Sequence, residues 1–467
     1  MSGIPEVLKT KNLSVQSNMD IFTSVLEPIT KSQTRVNFVL RKQGILDSGS
    51  RFVFTVGTDD ADNGTAFFPV FSGANACIRS AVLRAGTRVI AETQDYNQYS
   101  TMRSSVHTAS QKKNIDMVLN GSLSNLGPSL NTDGKYAFRD AIYSSKTAGV
   151  VPTKYILRQS TTDCATWSVG ISDLFPMMRG LQLPLFAMNE PLNIEINLVQ
   201  QANPTTGAVC LFDGGGGQTT TATSYGLDNF QMHIDYLQYD DATMQGIKDS
   251  IYSETGMPLR YDDLSVTTTQ IPAASRPGTG TTTQDDIVRE VGSAGLKVKN
   301  VLVQEKVAAV NALAGDYRSD SPIHPPQYNW RVNDRIIYPR AVFNTAHMRQ
   351  EVEDVLEWHM SCPSIVYSLD VENNFYNNKN GGQNPLLDSG VKLQDIGNEN
   401  AAGCCFYTGL NLRKGPGGEG TKVAQKNIIY ERKNTRSYND YVLRELKFFV
   451  EWERDFILKD GNVSLSA

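Results

Sequence analysis

Cysteine is scarce in this chain: Cys77, Cys164, Cys210, Cys362, Cys404 and Cys405 are its six copies among 467 residues. No two of them stand at C-x-x-C or another finger spacing, which excludes a zinc module and a disulfide scaffold and leaves free thiols in a reducing compartment. Long apolar runs are missing as well. None approaches the roughly 18 residues that a transmembrane segment needs, and Met1 to Asn18 has no hydrophobic stretch of the secretory kind, so neither membrane insertion nor export by that route is expected. Without export, the sequons at Asn12, Asn63, Asn120 and Asn462 read as chance matches. Charge of one sign is also lacking: 44 basic residues face 49 acidic ones, for a net −5. No terminal block of Lys or Arg is present, so genome neutralisation through a basic arm and sequence-specific nucleic-acid binding are not expected.

Catalytic and cofactor signatures are thin. There is no G-x-x-x-x-G-K-[ST] and no G-x-S-x-G. Gly415-Pro416-Gly417-Gly418-Glu419-Gly420 matches G-x-G-x-x-G literally, but Thr421 to Glu431 shows no helical stripe after it, so it reads as a loop. His107, His233, His324, His347 and His359 never fall at i, i+4; His347 and His359 would sit about 18 Å apart on one helix, too far to share an ion. Asp59, Asp60, Asp62 and Asn63 before Gly64 offer oxygen ligands, yet Ala61 breaks the calcium-loop pattern and the distal Glu is missing; a solvated acidic turn is expected. Glu351, Glu353, Asp354 and Glu357 read as a solvated helix face, although paired carboxylates are what glycoside hydrolysis needs. Tyr430 to Tyr438 mixes Arg432, Lys433 and Arg436 with tyrosines in the manner of a nucleic-acid groove, but it is short and reads as strand edge and loop. No catalytic, cofactor-binding or metal-binding residue is assigned.

What the chain does have is length and alternation. A chain of 467 residues exceeds a single core and predicts two domains. Apolar and polar residues alternate in many short runs separated by Gly, Asn, Asp and Thr, which predicts a mainly β protein. Val36, Phe38 and Leu40 share a face, as do Phe52, Phe54 and Val56, then Leu192, Ile194, Ile196 and Leu198, and Phe230, Met232, Ile234 and Tyr236. The second half repeats the style at Val298 to Val303, Trp330 to Ile337, and a last strand with Leu446, Phe448, Val450 and Trp452 on one face. Helices are accessories, expected over Gln94–His107, Asp241–Glu254 and Ala346–Met360, the last with a stripe of Met348, Val352, Val355 and His359. Exposed loops are expected at Asp213–Tyr225, Ala273–Gln284, Asn373–Pro385 and Gly415–Gly420.

The halves echo each other. Arg84-Ala-Gly-Thr-Arg88-Val-Ile90, followed by Tyr96-Asn97 and Met102-Arg103, matches Arg331-Val-Asn-Asp-Arg335-Ile-Ile337, followed by Phe343-Asn344 and Met348-Arg349. Each copy predicts a hairpin, turning at Gly-Thr or Asn-Asp, that runs into a short helix. The offset from Arg84 to Arg331 is 247 positions, and it carries Arg51–Val56 onto Val298–Val303. Two related β domains follow, 1–240 with an N-terminal arm and 241–467 with a connector, joined near 239–255. Met1 to Lys31 is read as the arm.

Certain stretches carry a family resemblance. Arg35-Val-Asn-Phe-Val-Leu-Arg-Lys-Gln-Gly44, Gly73-Ala-Asn-Ala-Cys-Ile-Arg79, Asp95-Tyr-Asn-Gln-Tyr99, Ile171-Ser-Asp-Leu-Phe175-Pro and Glu453-Arg-Asp-Phe-Ile-Leu-Lys-Asp-Gly461 resemble major capsid proteins of polinton-like viruses and virophages. The likeness spans most of the chain and is weakest after Cys210 and after Leu264. It implies two tandem eight-stranded jelly rolls, a double jelly roll, and a homotrimer of pseudo-hexagonal outline. It further implies an icosahedral shell around double-stranded DNA, with neighbouring capsomers, penton and minor capsid proteins as partners, assembled in the host cell and located in the virion. Jelly rolls also serve lectins, so a carbohydrate-binding or carbohydrate-active β-sandwich is the alternative from another class. A minor capsid or vertex protein differs from the main reading chiefly in copy number.

Overall fold

The computed structural model describes residues 19–58, 66–67, 72–105, 115–116, 119–120, 128–130, 136–138, 166–199, 212–213, 225–271, 287–307, 327–339, 355, 407–413, 418–433 and 444–465. The alternating segments of the first half become β1 (Asp20–Leu26), β2 (Arg35–Val39), β3 (Arg51–Thr58), β4 (Ile78–Ala85), β5 (Arg88–Thr93), β6 (Thr166–Gly170), β7 (Leu192–Leu198) and β8 (Tyr225–Gln238). They pair antiparallel in two sheets, one in the order β1-β8-β3-β6 and the other β2-β7-β4-β5, with Thr30–Lys31 extending the β2 edge. First strand beside last and second beside seventh is the wrapping of a jelly roll. The inward faces are those read from the alternation: Val36, Phe38, Leu40, Phe52, Phe54, Val56, Ile194 and Ile196 are all buried. Asn229, in left-handed backbone at φ +49°, sits in a bulge of β8. Beside it the Phe230 ring stacks on Phe54 at 4.9 Å and packs near Phe38 and Phe52.

The second half supplies β9 (Met257–Ile271), β10 (Ile287–Val291), β11 (Lys297–Val307), β12 (Gln327–Val332), β13 (Arg335–Ile336), β14 (Tyr407–Asn411), β15 (Ile428–Lys433) and β16 (Arg444–Lys459). Their sheets run β9-β16-β11-β14 and β10-β15-β12-β13, the permutation of the first barrel shifted by eight strands. Both barrels are therefore eight-stranded jelly rolls, and the 247-residue echo joins equivalent strands. Ala85 pairs with Arg88 across the β4–β5 turn as Val332 pairs with Arg335 across the β12–β13 turn. The two turns reach this pairing by different chemistry. In the first, Gly86 alone takes positive φ (+55°), whereas in the second both Asn333 (+50°) and Asp334 (+63°) do, the backbone of a type I′ hairpin.

Asn333 also accepts a hydrogen bond from the Ala424 amide at 2.7 Å. Asn333→Ala is expected to lower stability by about 1–2 kcal/mol, since a Cβ residue without a local acceptor is strained there. Asn333→Gly relieves the strain but still loses the acceptor, so its urea midpoint should fall between alanine and wild type.

Between the barrels lies α1 of the connector, Asp241–Ile251, its start capped by Asp240, whose carboxylate accepts from the Thr243 amide at 3.3 Å. Ile247 and Ile251 are buried in the first core. That core does not stop at the connector: Met257, Leu259, Tyr261, Phe456, Leu458 and Val463 belong to the second half and pack into it. The second core is separate, built around Trp330, Tyr430 and Phe448, with Trp330 and Tyr430 ring centroids 4.8 Å apart. The β9–β16 ribbon thus begins in one core and ends in the other.

Three expectations change. Asp20–Leu26 pairs with β8 residue by residue, so Lys31 is not the end of an arm; the arm reading retreats to residues 1–18, outside the described residues. Residues 428–433 form an inner strand between β10 and β12, because Ile428 and Tyr430 face the core, and not a strand edge. In β11 simple alternation fails: a bulge between Val298 and Asn300 shifts the register, so that Val298, Val301 and Val303 all face the core. The expected helix at Ala346–Met360 lies outside the described residues except for Val355, which is buried.

Candidate functional site

A strand shows alternate residues to opposite faces at about 6.7 Å per pair, while a helix brings residues i and i+4 to one face about 6 Å apart. The two spacings nearly match. A second short helix, α2 in the order of description, spans Tyr96–Ser105 between β5 and β6 and uses that match against β16. Lys447, Phe449 and Glu451 on the strand meet Asp95, Tyr99 and Arg103 on the helix side. Lys447 Nζ lies 2.7 Å from Asp95 Oδ2, the Phe449 and Tyr99 rings are 5.8 Å apart, and Arg103 Nη1 is 3.4 Å from Glu451 Oε1. An ion pair, a ring pair and an ion pair of reversed sense follow one another along the seam between the barrels.

Glu451 is the centre of this arrangement. Its Oε1 accepts from the Tyr99 hydroxyl and lies 3.5 Å from Arg179 Nη1. Its Oε2 accepts from Asn300 Nδ2 at 2.9 Å and lies 3.7 Å from Arg413 Nη2. Arg103 and Arg179 also sit over the Tyr99 ring, with guanidinium carbons 5.8 and 5.9 Å from its centroid. Burial alone pushes the Glu451 carboxyl up, but Arg103 and Arg179 overcome it and hold the group down to about 2. Burial raises the Tyr99 hydroxyl above its ordinary range, against the pull of Arg179. Both barrels contribute: Tyr99, Arg103 and Arg179 from the first, and Asn300, Arg413 and Glu451 from the second.

The seam continues along the ribbon. Glu453, whose side chain is 3 % exposed, accepts from the Gly420 amide at 2.8 Å and lies 3.8–3.9 Å from Lys297, Lys299 and Arg260. The Tyr261 hydroxyl donates to the Ile90 carbonyl at 2.6 Å, linking β9 to β5 of the first barrel. After β16 the chain turns at Asp460-Gly461 into β17 (Asn462–Leu465), and this turn rests on the first barrel, where the Asn189 amide donates to the Gly461 carbonyl at 2.7 Å. Gly461 has φ +73°, and a Cβ there would stand 2.6 Å from Asn189 Oδ1. The geometry is that of a rigid joint: its central carboxylate accepts hydrogen bonds from Tyr99, Arg103 and Asn300 and is flanked by Arg179 and Arg413.

The residues singled out by the sequence are not brought together here. His233 lies on β8 opposite Val25; the other four histidines, the Asp59–Gly64 turn and the Glu351–Glu357 face lie outside the described residues. Gly418–Gly420 lead into a two-residue strand, Thr421–Lys422, and not into a helix. Cys77 is buried in the first core. Among the described residues, no three His, Cys, Asp or Glu side chains converge as a metal site. Sequence reading missed the seam because it followed the apolar face of β16. The signal was present in the paired spacings Asp95-x3-Tyr99-x3-Arg103 and Lys447-x-Phe449-x-Glu451.

With two barrels and their joint in view, the fold can be compared with solved structures. The crystal structure of PBCV-1 VP54, fitted into a cryo-EM reconstruction of the virophage Sputnik, matches with a TM-score of 0.55 at 10% identity over 97% of each chain. The cryo-EM structure of the Sputnik virophage matches with 0.55 at 12% identity, over 100% of this chain and 92% of the other. The Faustovirus major capsid protein gives 0.51 at 10% identity over 94% and 91%. The chain has the double jelly-roll fold of viral major capsid proteins. No family model and no curated protein matches its sequence. At this identity the double jelly roll is preserved by inward-facing apolar positions and turn geometry, with little constraint on the residues that fill them.

Proposed function

We propose that this double jelly roll is a structural major capsid protein: three copies form a pseudo-hexagonal capsomer, and capsomers tile an icosahedral shell that encloses double-stranded DNA in the virion. The observation that carries the proposal is the repetition of one strand permutation within a single chain. Two similar barrels per chain let a three-fold ring present six similar units, and a closed ring requires a head-to-tail interface. The chain's two units, 1–240 and 241–467, are the two corners that each copy contributes. A joint closed by buried ion pairs and hydrogen bonds suits a building block, and no catalytic role is assigned. Neighbouring capsomers, penton and minor capsid proteins are the partners of this reading.

The face that meets other copies includes β1. It is an edge strand, and Ile21 (59 % exposed), Val25 (49 %) and, just beyond it, Ile29 (65 %) stand in solvent. An edge strand bearing exposed apolar side chains is a template for association that a protein working alone would blunt. Sedimentation of the purified full chain is expected to give the mass of three copies, with hexagonal particles by negative-stain electron microscopy. A monomer under every gentle condition would overturn the proposal. Ile21→Lys combined with Val25→Lys should shift the sedimenting species toward monomer while leaving the circular dichroism of the fold unchanged. Specific retention on a glycan array by the monomer would favour the carbohydrate alternative.

A further inference from the structure

The echo between the halves applies to faces as well as to strands. Within the chain, the second barrel meets the first through the outward side of its β9-β16-β11 sheet. Leu264, Leu302 and Phe449 lie on that side with Glu451 and Asn300, belong to neither core, and are buried. The first barrel answers with α2, Arg179 and the edge strand β5, whose Ile90 carbonyl accepts from Tyr261. The seam thus uses one side of each barrel: the β5 side of the first and the β9–β16 side of the second.

The two corresponding sides are left open. The 247-residue offset carries Val53 onto Asn300, and Gln231 pairs with Val53 as Glu451 pairs with Asn300, so Gln231 stands where the seam has its carboxylate. On this β1-β8-β3 face Gln231, Val53 and His233 are half-buried, Thr23 and Arg51 are exposed, and Ile21 and Val25 stand in solvent at the edge. In the second barrel the same offset carries Val89 and Ile90 onto Ile336 and Ile337. Val89 is half-buried and Ile90 buried beside the second barrel, whereas Ile337 is half-buried and Ile336 is 54 % exposed. Charge divides in the same way: Asp20 next to Ile21 and Arg335 next to Ile336 are both exposed and of opposite sign.

We propose that the two open sides are partners across copies. The β1 face of one chain packs against the β12–β13 side of the second barrel of the next, with Ile336 seated against Ile21 and Val25, so that the seam within a chain is repeated between chains. This rests on the capsomer reading above and names the surfaces that join its copies. Because the two sides differ, the contact is head-to-tail, as a closed ring requires; β1 against β1 would pair two copies and stop. The two joints differ in chemistry. A buried carboxylate among three guanidinium groups locks the barrels of one chain, while between chains exposed isoleucines on two strand edges carry the contact.

Ile336→Lys in the full-length chain tests this, since Ile336 is exposed and its replacement opens no core. Assembly measured by sedimentation should weaken by on the order of tenfold or more in chain concentration, because a charge replaces an isoleucine that the contact buries, with circular dichroism unchanged. In a second measurement, the full-length chain carrying both Val25→Cys and Ile336→Cys is treated with a short bismaleimide. Bands of two and three chains that neither single variant gives are expected on a denaturing gel. An Ile336→Lys chain that assembles like the wild type, or a double-cysteine trimer without the extra bands, would overturn the pairing and leave the capsomer reading standing. A wild-type chain that is always a monomer would overturn both. Bands that climb past three copies would support the pairing and overturn the closed trimer.

Discussion

Glu451→Ala is expected to destabilise the protein by about 3–5 kcal/mol, the usual cost of removing one partner from a buried ion pair. The loss arises less from the missing attraction than from what remains: the guanidinium groups of Arg103, Arg179 and Arg413 are left converging on the space that the Glu451 carboxylate filled. Glu451→Gln keeps the shape and an acceptor for Tyr99 and should fall between alanine and wild type. The same carboxylate predicts a pH dependence. Its value falls from an ordinary 4.5 to about 2 in the fold; a depressed value means that the unfolded chain binds the proton more readily, so the stabilisation is complete above pH 4.5 and is lost as pH drops toward 2. The size is on the order of 3 kcal/mol. Urea titrations at pH 7, 4 and 3 check both statements. An Ala variant whose stability declines with acid as steeply as the wild type's would show that other carboxylates carry the effect.

Phe456→Ala should cost a comparable amount, about 3–5 kcal/mol for an aromatic removed from a close-packed core, and the location of the damage matters more than its size. Phe456 belongs to β16, a strand of the second barrel, yet it is 1 % exposed inside the first core, with its ring edge-on to Tyr261 at 5.6 Å. A cavity there loosens both the first core and the ribbon that anchors the second barrel. Hydrogen exchange should therefore quicken in β3 and β8 of the first barrel and in β11 of the second, and calorimetry should show both barrels melting earlier. Protection that falls in one barrel alone would mean that the ribbon does not couple them.

Much of the fold is legible in the sequence because strand burial has a period of two. Phe52, Phe54 and Val56 alternate and are buried, and the turn residues Gly86 and Asn333 sit where positive φ is needed. The echo between Arg84 and Arg331 reports real equivalence of strands because hairpin register depends on turn length, which both copies keep at two residues. What stayed hidden is of another kind. The bulge in β11 leaves no mark in composition, and Asp20–Leu26, with Ile21 and Val25 in solvent, has too little inward apolar character to announce a strand. The seam was overlooked because outward charges such as Lys447 and Glu451 look solvated until a second domain covers them. At the echoed positions of Asp95 and Tyr99 the second half carries Val342 and Ala346, and only Arg103 has a like partner, Arg349, so comparing the halves could not reveal a joint that is built once.

The ribbon of β9 and β16, paired without interruption from Met257 with Leu458 to Ile271 with Arg444, sets a limit on bending. Because its root lies in one core and its tip in the other, tilting one barrel against its neighbour drags apolar side chains out of close packing. In an assembly of such chains the subunit behaves as a stiff plate. In the proposed shell, curvature would then be taken up at the boundaries between plates, and shells of different radius would call for adjusted edges and an unchanged subunit.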